Sequence, residues 1–187
     1  EAPGFDTWGD RIELAAPGPQ QRDFELVLGA FSSSVTVEET GGFVSAYVLD
    51  HKWGIAQGFK RYFDDFDLAA LKSASMGEIQ RRGDETVAQA IAWIDEVAPA
   101  GRFFGWVHLY DPHTPYAAPE PFASRYPDEP YNGEIAWTDE LVGRLLDHLD
   151  RRGLTGRTIV AVMGDHGESL GEHGEADHGF FVYEATQ

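Results

Sequence analysis

Two apolar runs, FFGWVHL (Phe103–Leu109) and TIVAVM (Thr158–Met163), each lead directly into a polar loop that carries histidine, DPHTPY and GDHGES. Short runs of this kind, without polar alternation, are typical of strands buried on both faces, and that limits the fold more than anything else in the chain. A helical pattern precedes each run. Asp84 is placed as an N-cap with Glu85 in the first turn. Val87, Ala90, Ile91, Ile94 and Val97 then recur at helical spacing until Pro99 stops the helix. A second helix is predicted from about Gly133 to Arg152, with Ile135, Leu141, Leu145 and Leu149 on one face and Gly153 at C′. This alternation predicts an α/β fold: a mainly parallel central sheet flanked by helices. Such sheets bind ligands beyond the carboxyl ends of their strands. If the two runs are neighbouring parallel strands, their loops share one pocket.

The earlier part of the chain reads differently. GFVSAYVL is strand-like, and Gly54 and Gly58 are expected turn points in the aromatic stretch that follows. Residues 1–42 are turn-rich (APGF, APGPQQ, ETGG), with FELVLGAF and SVTV as short strand candidates, and stay unassigned. The division is therefore 1–42, an unassigned segment, and 43–187, the α/β part. The chain begins at Glu1 rather than Met and ends just after an apolar run, as expected of a piece of a longer protein.

Charge narrows the partners. The 187 residues carry a net charge of -18, with three lysines and eleven arginines. Such a surface does not suit nucleic acid, whose phosphates need a basic face. An anionic substrate needs a metal or local basic groups to reverse the field. With no cysteine, disulfides, thiolate metal sites and a cysteine nucleophile are excluded within the chain. No run approaches the roughly 18 apolar residues of a membrane span. No signal peptide is visible, which leaves periplasmic, secreted and cytoplasmic locations open.

The chemistry concentrates in GDHGESLGEHGEADHGFF (Gly164–Phe181) and HLYDPHTPY (His108–Tyr116). Asp165 and His166 are adjacent, and both can reach one ion. Carboxylate oxygen suits calcium, magnesium or manganese, and imidazole nitrogen also suits manganese and zinc. The alternative is an acidic, solvated turn. His173 and His178 are candidates for further ligands, anion contacts or general acids, against a Gly- and acid-rich surface loop. His178 is the better placed, because apolar GFFVY follows it. His113 lies between Pro112 and Pro115, which stiffen its loop and suit a histidine that must hold still. His108 is either a site residue or a buried strand-end histidine satisfied by the backbone. Glu134 and Asp139 read as favourable charges near a helix N-terminus, and Trp93, Trp106 and Trp137 read as core.

Taken together, WVHLYDPHTPY, YNGEIAWTDELVGRLLDHL and TIVAVMGDHGESLGEHGEADHGFFVYEAT resemble the sulfatase family of the alkaline phosphatase superfamily, in the family's order. The resemblance covers about Gly42–Gln187 and the C-terminal part of the catalytic domain, so 43–187 is expected to be a partial sulfatase-like domain. It implies that Asp165 and His166 are late metal ligands, where many relatives have Asn in place of the histidine, and that the ion is calcium. It implies that His113 contacts the sulfate and helps the leaving group depart. It also implies that His178 stands where many sulfatases place a sulfate-contacting lysine. His108 and His173 match motif positions with no role fixed; the first is carried as a substrate contact, the second as a lesser metal candidate.

The departures from the family pattern matter as much. Neither the early strand ending in paired aspartates nor the C/S-x-P-S-R motif that yields formylglycine is in residues 1–42, and HKWG (His51–Gly54) only echoes the family's GKWHLG. The expected function is a metal-dependent sulfuric ester hydrolase domain lacking its nucleophile and inactive alone, acting on a small-molecule ester. The alternatives are a phosphate or phosphonate ester hydrolase or transferase using manganese or zinc, or a non-catalytic truncated homologue. Oligomeric state is not readable from the sequence.

Overall fold

The computed structural model describes residues 37–68, 79–171 and 174. The candidate strand FELVLGAF, all but the last residue of SVTV, and both His173 and His178 lie outside the described residues. The compact body begins at Val37.

Its centre is a three-stranded parallel sheet in the order β2-β1-β3, formed by β1 (Glu39–Val44), β2 (Arg61–Phe63) and β3 (Phe103–His108). Gly41 is in register with Arg61 on one side and Gly105 on the other, and Phe43 with Phe63 and Val107. The expected α/β architecture is present, and the first apolar run is a parallel strand as read. Gly54 and Gly58 turn the chain between β1 and β2 at φ 86° and 89°.

Helix α1 (Gly83–Val97) covers one face of the sheet. Val87, Ala90, Trp93, Ile94 and Val97 are buried, the stripe that helical spacing anticipated plus the tryptophan. The Trp93 ring lies 5.5 Å from that of Phe43 and 5.5 Å from that of Phe103. Leu149 and Leu154 complete this cluster, while a second one gathers Val87, Trp137 and Leu141, with Val107 and Leu145 packed against both. Trp106 belongs elsewhere: it is half-buried on the opposite face, stacked 5.9 Å from Phe59.

Helix starts differ from the sequence reading. The N-cap of α1 is Arg82, and Asp84 sits inside the first turn, accepting the Glu85 N–H at 3.1 Å and pairing with Arg82. Helix α3 (Pro130–Arg151) begins at Pro130, a residue suited to a first turn whose N–H groups need no helical partner. It follows a short α2 (Phe122–Arg125). Gly153 takes the expected left-handed C′ conformation at φ 64°.

The buried stripe of α3 also differs. Ile135 is 43 % exposed, whereas Glu134, Trp137, Leu141, His148 and Leu149 are buried. The expectation that Glu134 and Asp139 are favourable charges near the helix N-terminus is therefore overturned: the first turn of α3 holds no acidic residue, and both lie further along the helix.

The second apolar run is not a strand. Thr158–Met163 has no regular structure, and Ile159, Val162 and Met163 are 98 %, 72 % and 86 % exposed. Strand propensity is realised only through a neighbour. Among the described residues no strand lies beyond β3, itself an edge strand with Phe104 52 % exposed. The two runs are therefore not adjacent strands of one sheet, and any shared pocket must arise from the loops themselves.

Candidate active site

The loop after β3 is fixed by α3 and by the start of α1. Pro112 and Pro115 remove two donors from it, so it cannot be held by a ladder of its own. Glu134 supplies the acceptors: Oε2 takes the His113 N–H at 3.0 Å and Oε1 takes the Ala117 N–H at 2.5 Å. One turn further along, Thr138 Oγ1 donates to Asp111 O at 3.1 Å. The Asp111 carboxylate meets the Gly83 N–H at the start of α1. A Cβ at residue 83 would lie 2.5 Å from Leu141 Cδ1 and 3.0 Å from Asp111 Oδ2, so any larger residue forces those side chains to shift.

His113 Nδ1 lies 2.6 Å from Thr114 O. A carbonyl can only accept, so Nδ1 carries the proton and the lone pair of the neutral ring lies on Nε2. Nε2 meets the Tyr110 hydroxyl at 2.9 Å, with the two rings stacked 4.1 Å apart. Sequence reasoning missed Tyr110, and no spacing rule would have singled it out.

His108 stands at the carboxyl end of β3, part-buried, and its Nδ1 is buried with no hydrogen-bond partner among the described residues. Burial pulls its pKa down, with the charge of Asp165 opposing, so the ring is held toward its neutral form. Burial likewise pushes the carboxyls of Asp111 and Glu134 up, the backbone N–H groups they accept from opposing.

The two loops do meet, though not through adjacent strands. Asp165 acts on His108. Glu168 acts on Tyr110, Tyr116 and Tyr131, whose hydroxyls are pushed up first by burial and then by this carboxylate, Tyr116 to about 12.

The donor set at Asp165–His166 fits a divalent cation. His166 Nδ1 lies 2.8 Å from Gly167 O and is therefore the protonated nitrogen, which leaves the lone pair on Nε2. Nε2 is 3.9 Å from Asp165 Oδ2, so a divalent cation would find one carboxylate and one imidazole donor side by side here. Both side chains are open to solvent, at 43 % and 81 %.

Among the described residues, three metal-type donors fall within 4.8 Å of one another only at Asp50, His51 and Asp64. Here Asp64 Oδ2 accepts both the His51 backbone N–H (2.5 Å) and Nδ1–H (2.7 Å), a tie between the turn before β2 and the residue just after that strand. Beside it, Lys52 Nζ donates to the Tyr47 hydroxyl. No described helix is long and apolar enough to cross a membrane.

Comparison with known proteins gives two findings. The model of the family described as Sulfatase matches residues 31–184. Human iduronate 2-sulfatase is 49% identical over 45 residues, 24% of this chain and 8% of that protein's length.

Proposed function

Because the chain belongs to the sulfatase family, we propose that the loop at 108–116 and the sequence segment 164–178 form the leaving-group and metal-binding half of a site for sulfate monoester hydrolysis. The observation that carries this reading is the fixed geometry of His113 on the family-matched loop: Nδ1–H is spent on Thr114 O, leaving Nε2 as the proton-transfer atom. With a proton on Nε2, the ring is a general acid for the departing oxygen, and Tyr110 keeps the ring plane still. His108, with its unpartnered Nδ1, is assigned a substrate contact. His178 is assigned a second imidazole contact to the sulfate.

Asp165 and His166 are the proposed metal ligands, His173 ranking behind them. A divalent cation there, calcium in this reading, would supply charge neutralisation of the sulfate group. With no C/S-x-P-S-R motif in the sequence, turnover by this chain alone is not expected.

One observation favours a second reading, phosphate or phosphonate ester chemistry with manganese or zinc. The lone pair of His166 Nε2 offers nitrogen where calcium prefers oxygen.

The test is histidine-resolved NMR of the intact chain titrated with inorganic sulfate and, separately, phosphate. A saturable shift of the His113 signal by sulfate, lost in Asp165→Asn when calcium is present, supports the first reading. Saturation by phosphate with manganese or zinc alone supports the second. No response to either anion overturns both.

A further inference from the structure

Glu134 is an expensive residue to place where it is. It is 2 % exposed, and among the described residues no lysine or arginine pairs with it. It is the fifth residue of α3, past the unpaired N–H groups of the first turn, so the helix terminus gives it little. The nearby Asp111 adds repulsion. A carboxylate buried without a cation is costly unless strong donors satisfy it. The donors here are two backbone amides, one on each side of the Thr114–Tyr116 turn.

We propose that Glu134 is the positioning residue of His113, its two oxygens clamping both ends of the turn so that the imidazole keeps Nε2 against Tyr110. Three facts converge on this. Each oxygen has its own amide, so the clamp is bidentate and resists rotation of the loop. The prolines at 112 and 115 leave few other amides to hold. Thr138, one turn along the same helix face, grips Asp111 O, so α3 holds the loop at residues 111, 113 and 117. The proposal rests on the sulfate-contacting role given to His113 above.

The role requires two acceptors, not merely bulk. Glu134→Gln keeps the volume but turns an NH2 group toward one of the two amides. Glu134→Asp keeps both acceptors and loses one methylene. A clamp predicts the order parent, then Asp, then Gln. A packing role predicts Gln equal to or better than Asp.

The experiment uses the full chain and reads the His113 ring resonances, amide exchange at His113 and Ala117, and the inorganic sulfate titration. In Glu134→Gln the His113 signal should move or split, the two amides should exchange at least about tenfold faster, and sulfate affinity should fall about tenfold, while signals of Trp93 and Leu141 stay native. Glu134→Asp should recover most of this. If Glu134→Gln does not fold, protected amides at 113 and 117 in Glu134→Asp support the clamp, and unprotected ones overturn it. Parent-like His113 signals and sulfate response in Glu134→Gln overturn the proposal and leave the function standing. A parent chain whose His113 ignores sulfate overturns the function, and the ring and amide readouts still judge the clamp.

Discussion

Tyr110 and His113 stack with ring centroids 4.1 Å apart and interplanar angle 20°, while the tyrosine hydroxyl lies 2.9 Å from His113 Nε2. The two contacts separate cleanly by mutation. Tyr110→Phe keeps the stack and removes the hydroxyl. Unfolding free energy should change by less than about 1.5 kcal/mol, the usual worth of one hydrogen bond. The 15N shift of His113 Nε2 should move toward that of a solvated ring. An unchanged Nε2 shift would show that the hydroxyl does not bond the ring in solution.

Leu141 and Ile135 test the corrected helix face. Leu141 is fully buried, so Leu141→Ala should cost about 2–5 kcal/mol by lost transfer energy and cavity formation. Ile135 is 43 % exposed, so Ile135→Ala should stay within about 0.5 kcal/mol. Urea unfolding of both variants decides it, and comparable losses would restore the stripe through Ile135.

Two histidines should shape the pH dependence with opposite signs. His108 has a depressed pKa, chiefly from burial, so the unfolded chain takes up its proton more readily. Its contribution is present above the ordinary value of 6.5 and is lost as pH falls through the folded value. His51 has a raised pKa, first from its hydrogen bond to Asp64 and then from that carboxylate's charge. Its contribution is present below 6.5 and is lost as pH rises through the folded value. In unfolding series between pH 5 and 8, His108→Gln should lose some destabilisation on the acid side. Asp64→Asn should lower the His51 pKa read by NMR. A His51 that titrates identically in Asp64→Asn would remove the pair as its cause.

Metal binding at Asp165–His166 should be weak and ligand-specific. Asp165→Asn removes the one anionic donor and should weaken binding of every ion by at least about tenfold. His166→Asn supplies an amide oxygen instead, which should be mild for calcium and harsher for zinc or manganese. Calorimetric titration of the two variants compares them directly. Parent-like affinity in Asp165→Asn would reduce the segment to an acidic turn.

The Thr158–Met163 run offers a backbone test. Among the described residues, the amides of 159–164 have no hydrogen-bond partner, whereas Gly41–Val44 lie in the central strand. Exchange at 159–164 should approach that of an unstructured peptide, with strong protection across β1. Protection of Ile159–Met163 would mean that this run pairs in solution.

The same contrasts say what was legible. Residues 87, 90, 94 and 97 lie on the core face of α1 because periodicity and burial agree there. Phe103–His108 is a strand because a neighbour, β1, was available to pair with it. TIVAVM carries the same apolar signal without a described neighbour, and composition cannot see pairing. Glu134 was misjudged because residue type was weighed above position. Its spacing of three to Trp137 and seven to Leu141 puts it on the core stripe, and that spacing was the available signal. The stiffness of the His113 loop was legible from its two prolines, but the ring's tautomer needed the carbonyl of Thr114.

The bare stretch at Thr158–Met163 also sets how molecules of this protein behave in a crowded tube. Six uncharged residues without proline, four of them β-branched, are a candidate seed for intermolecular stacking. Mutual repulsion between chains of net charge -18 opposes that encounter, and it fades as the screening length shrinks from about 10 Å at 0.1 M salt to about 3 Å at 1 M. Self-association at high concentration is therefore expected to rise with ionic strength, dilute buffer keeping the molecules apart.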